Sequence, residues 1–239
     1  MTKKMVFLLL LAFCLFSISA VSAQDPVRVK CGNFTMNVPS ARAGCYQIDA
    51  NIPVSDTASP EEIAGAQTAC TSIYFTDYET LQSRIQPQVT FYQTDDLSKT
   101  SFELLDVSMS LSNVVNNINA GFAAASDLIN EIPFLPYQAS ERTGICLPLS
   151  LDFEKGTGVR FVTTFDETIS AITGNSNLYY SFQGLSSDGK YYISAVFPLR
   201  SSVLNGRSAA EIDWNSVSTA DLQPSLDELD YYIRSIVIE

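Results

Sequence analysis

The most constraining feature of this chain is a period-two alternation of apolar and polar residues in its second half. From Ile145 the odd positions read Ile145, Leu147, Leu149, Leu151 and Phe153, with Cys146, Pro148, Ser150 and Asp152 between them. Successive side chains of a strand point to opposite faces, so this pattern specifies a strand with one apolar face and disfavours a helix. After Glu154-Lys155-Gly156-Thr157-Gly158 the rhythm resumes through Val159, Phe161 and Phe165, which predicts a hairpin. Pro148 has no amide proton to give to a ladder, so its strand belongs at a sheet edge or at a bulge. A second hairpin joins Leu178, Tyr180 and Phe182 to Tyr191, Ile193, Ala195 and Phe197 across Ser187-Asp188-Gly189-Lys190. Asp188 and Gly189 there suit the positive φ angles of a tight turn.

Shorter runs predict earlier strands over 34–38, 46–54, 71–75 and 89–94. Leu111, Val114, Val115, Ile118 and Phe122 recur at helical spacing, which predicts a helix over 108–122 with one buried stripe. Ser225 and Glu228 have capping-box spacing after Pro224, and Leu226, Leu229 and Ile233 give the helix they start its apolar face. A last strand follows over 236–238, and 53–65 and 132–137 read as loops. The expected class is therefore α+β, an antiparallel sheet with flanking helices, half-covered so that the polar set of residues faces out.

The first 23 residues read as a leader. Lys3 and Lys4 precede an apolar run from Met5 to Phe16, and Val21 and Ala23 stand where a signal peptidase reads, so the mature domain is expected over 24–239. The run of about a dozen apolar residues is shorter than the roughly 20 that a spanning helix needs, so no transmembrane anchor is expected in the mature chain. Cys14 offers a lipid-anchor alternative, against which the bulky Phe13 argues. The leader holds two of the 14 basic residues and none of the 26 acidic ones, leaving 12 basic against 26 acidic, or −14. Such a chain repels phosphate backbones, which argues against nucleic acid as a partner.

Four cysteines follow the leader: Cys31, Cys45, Cys70 and Cys146. An even count in an exported chain predicts two disulfides, with three possible connectivities. All four fall out of phase with the apolar residues of their strands. A meander of the first three strands would pair Cys31 with Cys70 and leave Cys45 for Cys146. The chain contains no histidine and no CxxC pair, so neither a zinc site nor a cofactor is expected.

The stretch 158–165, GVRFVTTF, with 180–185, YSFQGL, and 188–198, DGKYYISAVFP, resembles a group of uncharacterised secreted or lipid-anchored bacterial proteins of Chloroflexi type. Those proteins share a "GVRF…YxFQGLxxDGKYYxxAxFP" block, and 132–136, IPFLP, is similar to the segment before it. The resemblance implies relationship and carries no activity. More remotely, 226–236 is similar to the helix-then-strand ending of Mog1/PsbP-like domains, and 34–40 to their first strand. That resemblance implies an α/β/α sandwich of the kind used in binding or assembly modules.

Without histidine, Ser-His-Asp and Cys-His catalysis are excluded. Ser187 and Lys190 have S-x-x-K spacing, but on a hairpin turn the lysine stays solvated and charged, whereas that chemistry needs a helix start. Carboxylates cluster at Asp95/Asp96, Asp152/Glu154, Asp166/Glu167 and Asp227/Glu228/Asp230, none with calcium-loop spacing. Tyr179, Tyr192, Tyr231 and Tyr232 stand out of phase with, or beside, the apolar stripes. They serve a binding face or pack beneath a helix, and packing is the simpler reading. No catalytic, cofactor or metal residues are therefore assigned. The expected function is a secreted, non-enzymatic module that binds a protein, a glycan or a small ligand at the cell envelope. The alternatives are a secreted hydrolase using paired carboxylates, which requires two of them in one cleft with at least one raised pKa, and a structural surface protein.

Overall fold

A computed structural model describes residues 26–38, 43–55, 57–76, 78, 85–121, 131–136, 138, 141–166 and 177–239. The leader, Cys14 and Phe122 lie outside the described residues.

Two antiparallel sheets form the frame. The smaller has the order β1-β2-β10, built from β1 (Val27–Cys31), β2 (Phe34–Val38) and β10 (Val237–Ile238). Gly32, at φ 58°, closes the β1–β2 hairpin in a conformation that a Cβ would disfavour. The larger sheet contains β3 (Ala43–Ile48), β4 (Cys70–Phe75), β5 (Gln88–Gln93), β6 (Glu141–Phe153), β7 (Gly156–Asp166), β8 (Leu178–Ser186) and β9 (Tyr191–Pro198). Its order is β3-β4-β5-β9-β8-β7-β6, with every pair antiparallel. Among the described residues four α-helices accompany it: α1 (Pro60–Ala64), α2 (Thr94–Thr100), α3 (Phe102–Asn119) and α4 (Leu226–Arg234). The class is α+β, as the alternation predicts.

One face of the seven-stranded sheet carries Ile73, Phe91, Tyr180, Phe182, Ile193 and Phe197, packed against Phe34, Met36 and Val38 of the small sheet and Leu226, Leu229 and Ile233 of α4. Full burial of each such large apolar side chain contributes about 1.5–3 kcal/mol. The opposite face carries Tyr179, Tyr192, Val159 and Phe161, against Leu97 of α2 and Leu111, Val114 and Val115 of α3. Tyr179 and Tyr192 thus pack beneath a helix. The sheet is not half-covered: Ser181, Gln183 and Ser194, which alternation assigns to a solvated face, are buried. Period-two patterning reports which residues share a face. It does not report whether a polar face meets water or meets partners of its own.

Pro148 lies on β6, an edge strand, inside a register shift between Cys146 and Leu149. Leu147 adopts φ 54° there, which aims its carbonyl at the buried Arg160. The stretch read as a loop over 53–65 holds α1, started by a reciprocal Ser59–Glu62 capping box. The helix predicted over 108–122 begins earlier, at Phe102.

The cysteine pairing differs from the expectation. Cys31 bonds to Cys45, with their Cα atoms 5.7 Å apart, and Cys70 and Cys146 are free. The first three strands form no meander, because β1 and β2 belong to the small sheet while β3 starts the large one. Register places Cys45 opposite Ile73, on the face under the β1–β2 hairpin, whereas Cys70 projects from the other face with Tyr92. Cys45 and Cys146 stand on opposite edge strands, six inter-strand spacings or about 29 Å apart. Neither expected bridge, Cys31–Cys70 or Cys45–Cys146, can form in this sheet.

Candidate functional site

The second face of the sheet carries two adjacent rows of residues fixed by strand register. One row reads Tyr46, Ser72, Thr90, Ser194 and Gln183 across β3, β4, β5, β9 and β8. The row beside it reads Gly44, Tyr74, Gln88, Val196 and Ser181. At the β8–β9 end these residues are buried, as are Ser72 and Thr90, and the rows open toward solvent at Gly44, Tyr46, Tyr74 and Gln88.

The buried end is a closed polar network. Tyr192 Oη and the Leu135 amide both donate to Gln183 Oε1, at 2.7 and 3.1 Å. Gln183 Nε2 lies 2.9 Å from Ser181 Oγ, 3.1 Å from Ser194 Oγ and 3.3 Å from the Leu135 carbonyl. Ser194 Oγ also donates to that carbonyl. One amide side chain therefore grips both backbone groups of Leu135, and the loop over 131–136 is tied down onto the sheet. Satisfied networks of this kind rigidify the backbone they hold. The peptide after Leu135 is cis, and Pro136 stands at the boundary of the open end.

The open end is a groove of about 620 Å³ lined by Tyr46, Tyr74, Ile85, Gln86, Gln88, Pro136 and Gln138. The volume lies within the usual range for small-ligand sites. Tyr46 Oη donates to Gln88 Oε1 at 3.1 Å, which fixes one ring. Tyr74 pairs in register with Gly44, where an added Cβ would overlap Tyr74 Cζ and Oη, so its ring lies across the glycine. The two rings sit 6.0 Å apart at 38°. A second cavity of about 230 Å³ shares Tyr46, Gln88 and Pro136 with the groove and runs inward past Thr68, Cys70 and Tyr92. Burial pushes the Cys70 thiol up, so it stays protonated and is a poor nucleophile. Among the described residues no charged side chain lines either space.

The carboxylate clusters noted in the sequence lie apart. Asp152 and Glu154 are exposed at the β6–β7 turn, and Glu167 lies outside the described residues. Asp230 is buried against Arg160 and Tyr180, in the core beneath α4. A separate cleft of about 270 Å³ includes Asp49 and Asp96 in its lining. Lys99 and Asn51 both donate to Asp96 Oδ1, at 2.9 and 3.0 Å, and hold its carboxyl below the usual range. A hydrolytic acid needs the opposite shift. Among the described residues no group of three or more Cys, Asp or Glu could hold a metal ion. The Asp188–Gly189 turn is exposed: Ser186 Oγ and the Lys190 amide donate to Asp188 Oδ1, the Asp188 carboxyl is lowered to about 2, and Gly189 takes φ 71°.

No family model, curated protein or solved structure matches this chain. Sequence reasoning missed the groove because its residues come from four separate segments, and Tyr46 and Tyr74 were read only as strand positions. The one signal available was Gly44 inside a strand, which marks a close approach by another group.

Proposed function

We propose that the chain is an exported, non-enzymatic binding module of the cell envelope that takes its ligand in the Tyr46–Tyr74 groove. One observation carries this reading. On a chain with 26 acidic residues, an open concavity of ligand size is lined by aromatic rings and amides and, among the described residues, by no carboxylate. Binding sites concentrate apolar bodies and a few oriented polar groups in this way. Export rests on the leader pattern. The Cys31–Cys45 bridge supports it, because disulfides persist in oxidising compartments. Among the described residues no helix is long and apolar enough to cross a membrane.

The test is capture of native envelope material by the chain expressed with its leader and purified from the exported fraction. Its mass should correspond to a start at Gln24. Material should be retained by the unaltered chain and lost from a Tyr46→Ala/Tyr74→Ala double variant. Equal retention by both would reject the groove as the site.

A further inference from the structure

The groove's chemistry selects a ligand class, and this step rests on the binding reading above. We infer that it holds a neutral oligosaccharide, with pyranose faces laid on the Tyr74 and Tyr46 rings and hydroxyls bonded by the surrounding glutamines. The rings supply the first half of the argument. An aromatic face is electron-rich and attracts the weakly positive C–H groups on the face of a sugar ring, provided the aromatic face is accessible and held still. Gly44 is the device that presents Tyr74. With any larger residue at that position, the ring would have to stand up from β3, since a Cβ would occupy the space of Cζ and Oη. Tyr46, 38 % exposed, is fixed by its bond to Gln88, so both aromatic surfaces are ordered before a ligand arrives. Pre-ordering removes part of the entropic cost of binding.

The polar lining supplies the second half. Gln86, Gln88 and Gln138 carry amides, which have two donor protons and an acceptor oxygen. Gln88 Oε1 accepts from Tyr46 and Gln138 Nε2 donates to the Pro136 carbonyl at 3.0 Å, which orients both groups. A sugar hydroxyl both donates and accepts, and so uses both ends of an amide. A proline-rich peptide, the other common guest of tyrosine-lined grooves, lacks amide protons at its prolines and offers mainly acceptors. Among the described residues of the lining, a phosphate, sulfate or uronate would find no cation, and a cationic ligand would find no carboxylate. The walls also differ in firmness in a useful way. The β3–β5 strands are paired, and the Pro136 side is held through Leu135 by Gln183, so the groove's width is set by the core.

Calorimetric titration with maltohexaose, cellohexaose, xylohexaose and chitohexaose, with decaproline and polygalacturonate as the contrasting probes, tests the class. At least one neutral hexasaccharide should bind at millimolar concentration or below. Tyr74→Ala and Gly44→Val should each weaken it by about fivefold or more, the loss expected for one aromatic contact. Tyr74→Phe, which keeps the ring, should stay within about twofold of the unaltered chain, a contrast that a folding defect would not produce. Absence of binding by all four sugars, or tyrosine-dependent binding of decaproline or polygalacturonate instead, overturns the inference. Periodate treatment of the envelope material, which cleaves vicinal diols, separates the two claims. Tyrosine-dependent capture that survives periodate rejects the sugar and leaves the binding reading intact. Capture indifferent to Tyr46 and Tyr74 rejects both.

Discussion

Asp230→Asn should be among the most destabilising conservative changes in this chain. Arg160 is 6 % exposed and Asp230 2 %, and the guanidinium faces the carboxylate with Nε–Oδ1 and Nη2–Oδ2 distances of 3.3 Å. Tyr180 Oη donates to Asp230 Oδ1 at 2.9 Å, and Arg160 Nη1 donates to the Leu147 carbonyl at 2.7 Å. The amide of asparagine keeps the shape and an acceptor for Tyr180 but leaves a cation buried without a counter-charge. An exposed pair would be worth about 0–1 kcal/mol, but breaking a buried one costs about 3–5 kcal/mol, and burial decides between them here. With a urea slope of about 2 kcal/mol/M, the unfolding midpoint should fall by roughly 1.5–2.5 M. A double Arg160→Met/Asp230→Leu variant removes both charges and should recover most of that loss. A shift below about 0.5 M for Asp230→Asn, measured by circular dichroism in urea, would refute the uncompensated-charge argument.

The exported chain, unfolded without reductant, should react with two equivalents of a thiol reagent, at Cys70 and Cys146. Four equivalents would show that Cys31–Cys45 does not form, and none would show a second bridge. Cys31→Ser/Cys45→Ser should lower stability by about 3 kcal/mol, as expected for a loop of this length. Alkaline pH should destabilise the fold. Burial pushes the Cys146 thiol up from 9.0 to about 12 and holds Tyr92, Tyr180 and Tyr192 well above their ordinary 10.0. These groups ionise first in the unfolded chain. Their contribution is complete below about pH 9 and is lost as pH rises toward the folded values. Tm should fall between pH 9 and 11, and a flat profile there would contradict the burial of these groups.

Strands and the two longest helices were legible because period two and period 3.6 are local signals. Leu178, Tyr180 and Phe182 share a face in the sequence and in the core alike. Pro148 carried its message in full, since its missing donor leaves the edge and the bulge as its places, and β6 supplies both. Sheet order was not legible. It is set by which apolar faces meet across the whole chain, and β5 pairs with β9, whose sequence lies about 100 residues on. The cysteine error follows directly: alternation gave a parity for each cysteine within its own strand, but common parity needs the pairing register, which puts Cys70 on the far face. The polar cluster Ser181, Gln183 and Ser194 departs from the expectation for a related reason. Its partner is the Leu135 backbone, and a backbone acceptor leaves no mark in sequence.

The misplaced bridge and the missed groove meet on one strand. Among the described strands β3 is an edge strand, paired with β4 alone, and edge strands are the least constrained part of a sheet. Its residues alternate between two tasks. Cys45 points to the first face and is tied there to Cys31 of the small sheet, while Gly44 and Tyr46 point to the second face and form the aromatic ledge. The crosslink therefore holds from behind the backbone that presents the rings in front. Tyr46 and Tyr74 touch across β3 and β4, so any fraying of β3 moves one ring relative to the other and disturbs the 6.0 Å spacing. On this account the single disulfide does more than restrict the unfolded chain. It also anchors to the small sheet the strand that carries Gly44 and Tyr46, adding to the strand pairing and the Gln183–Leu135 contacts that hold the groove.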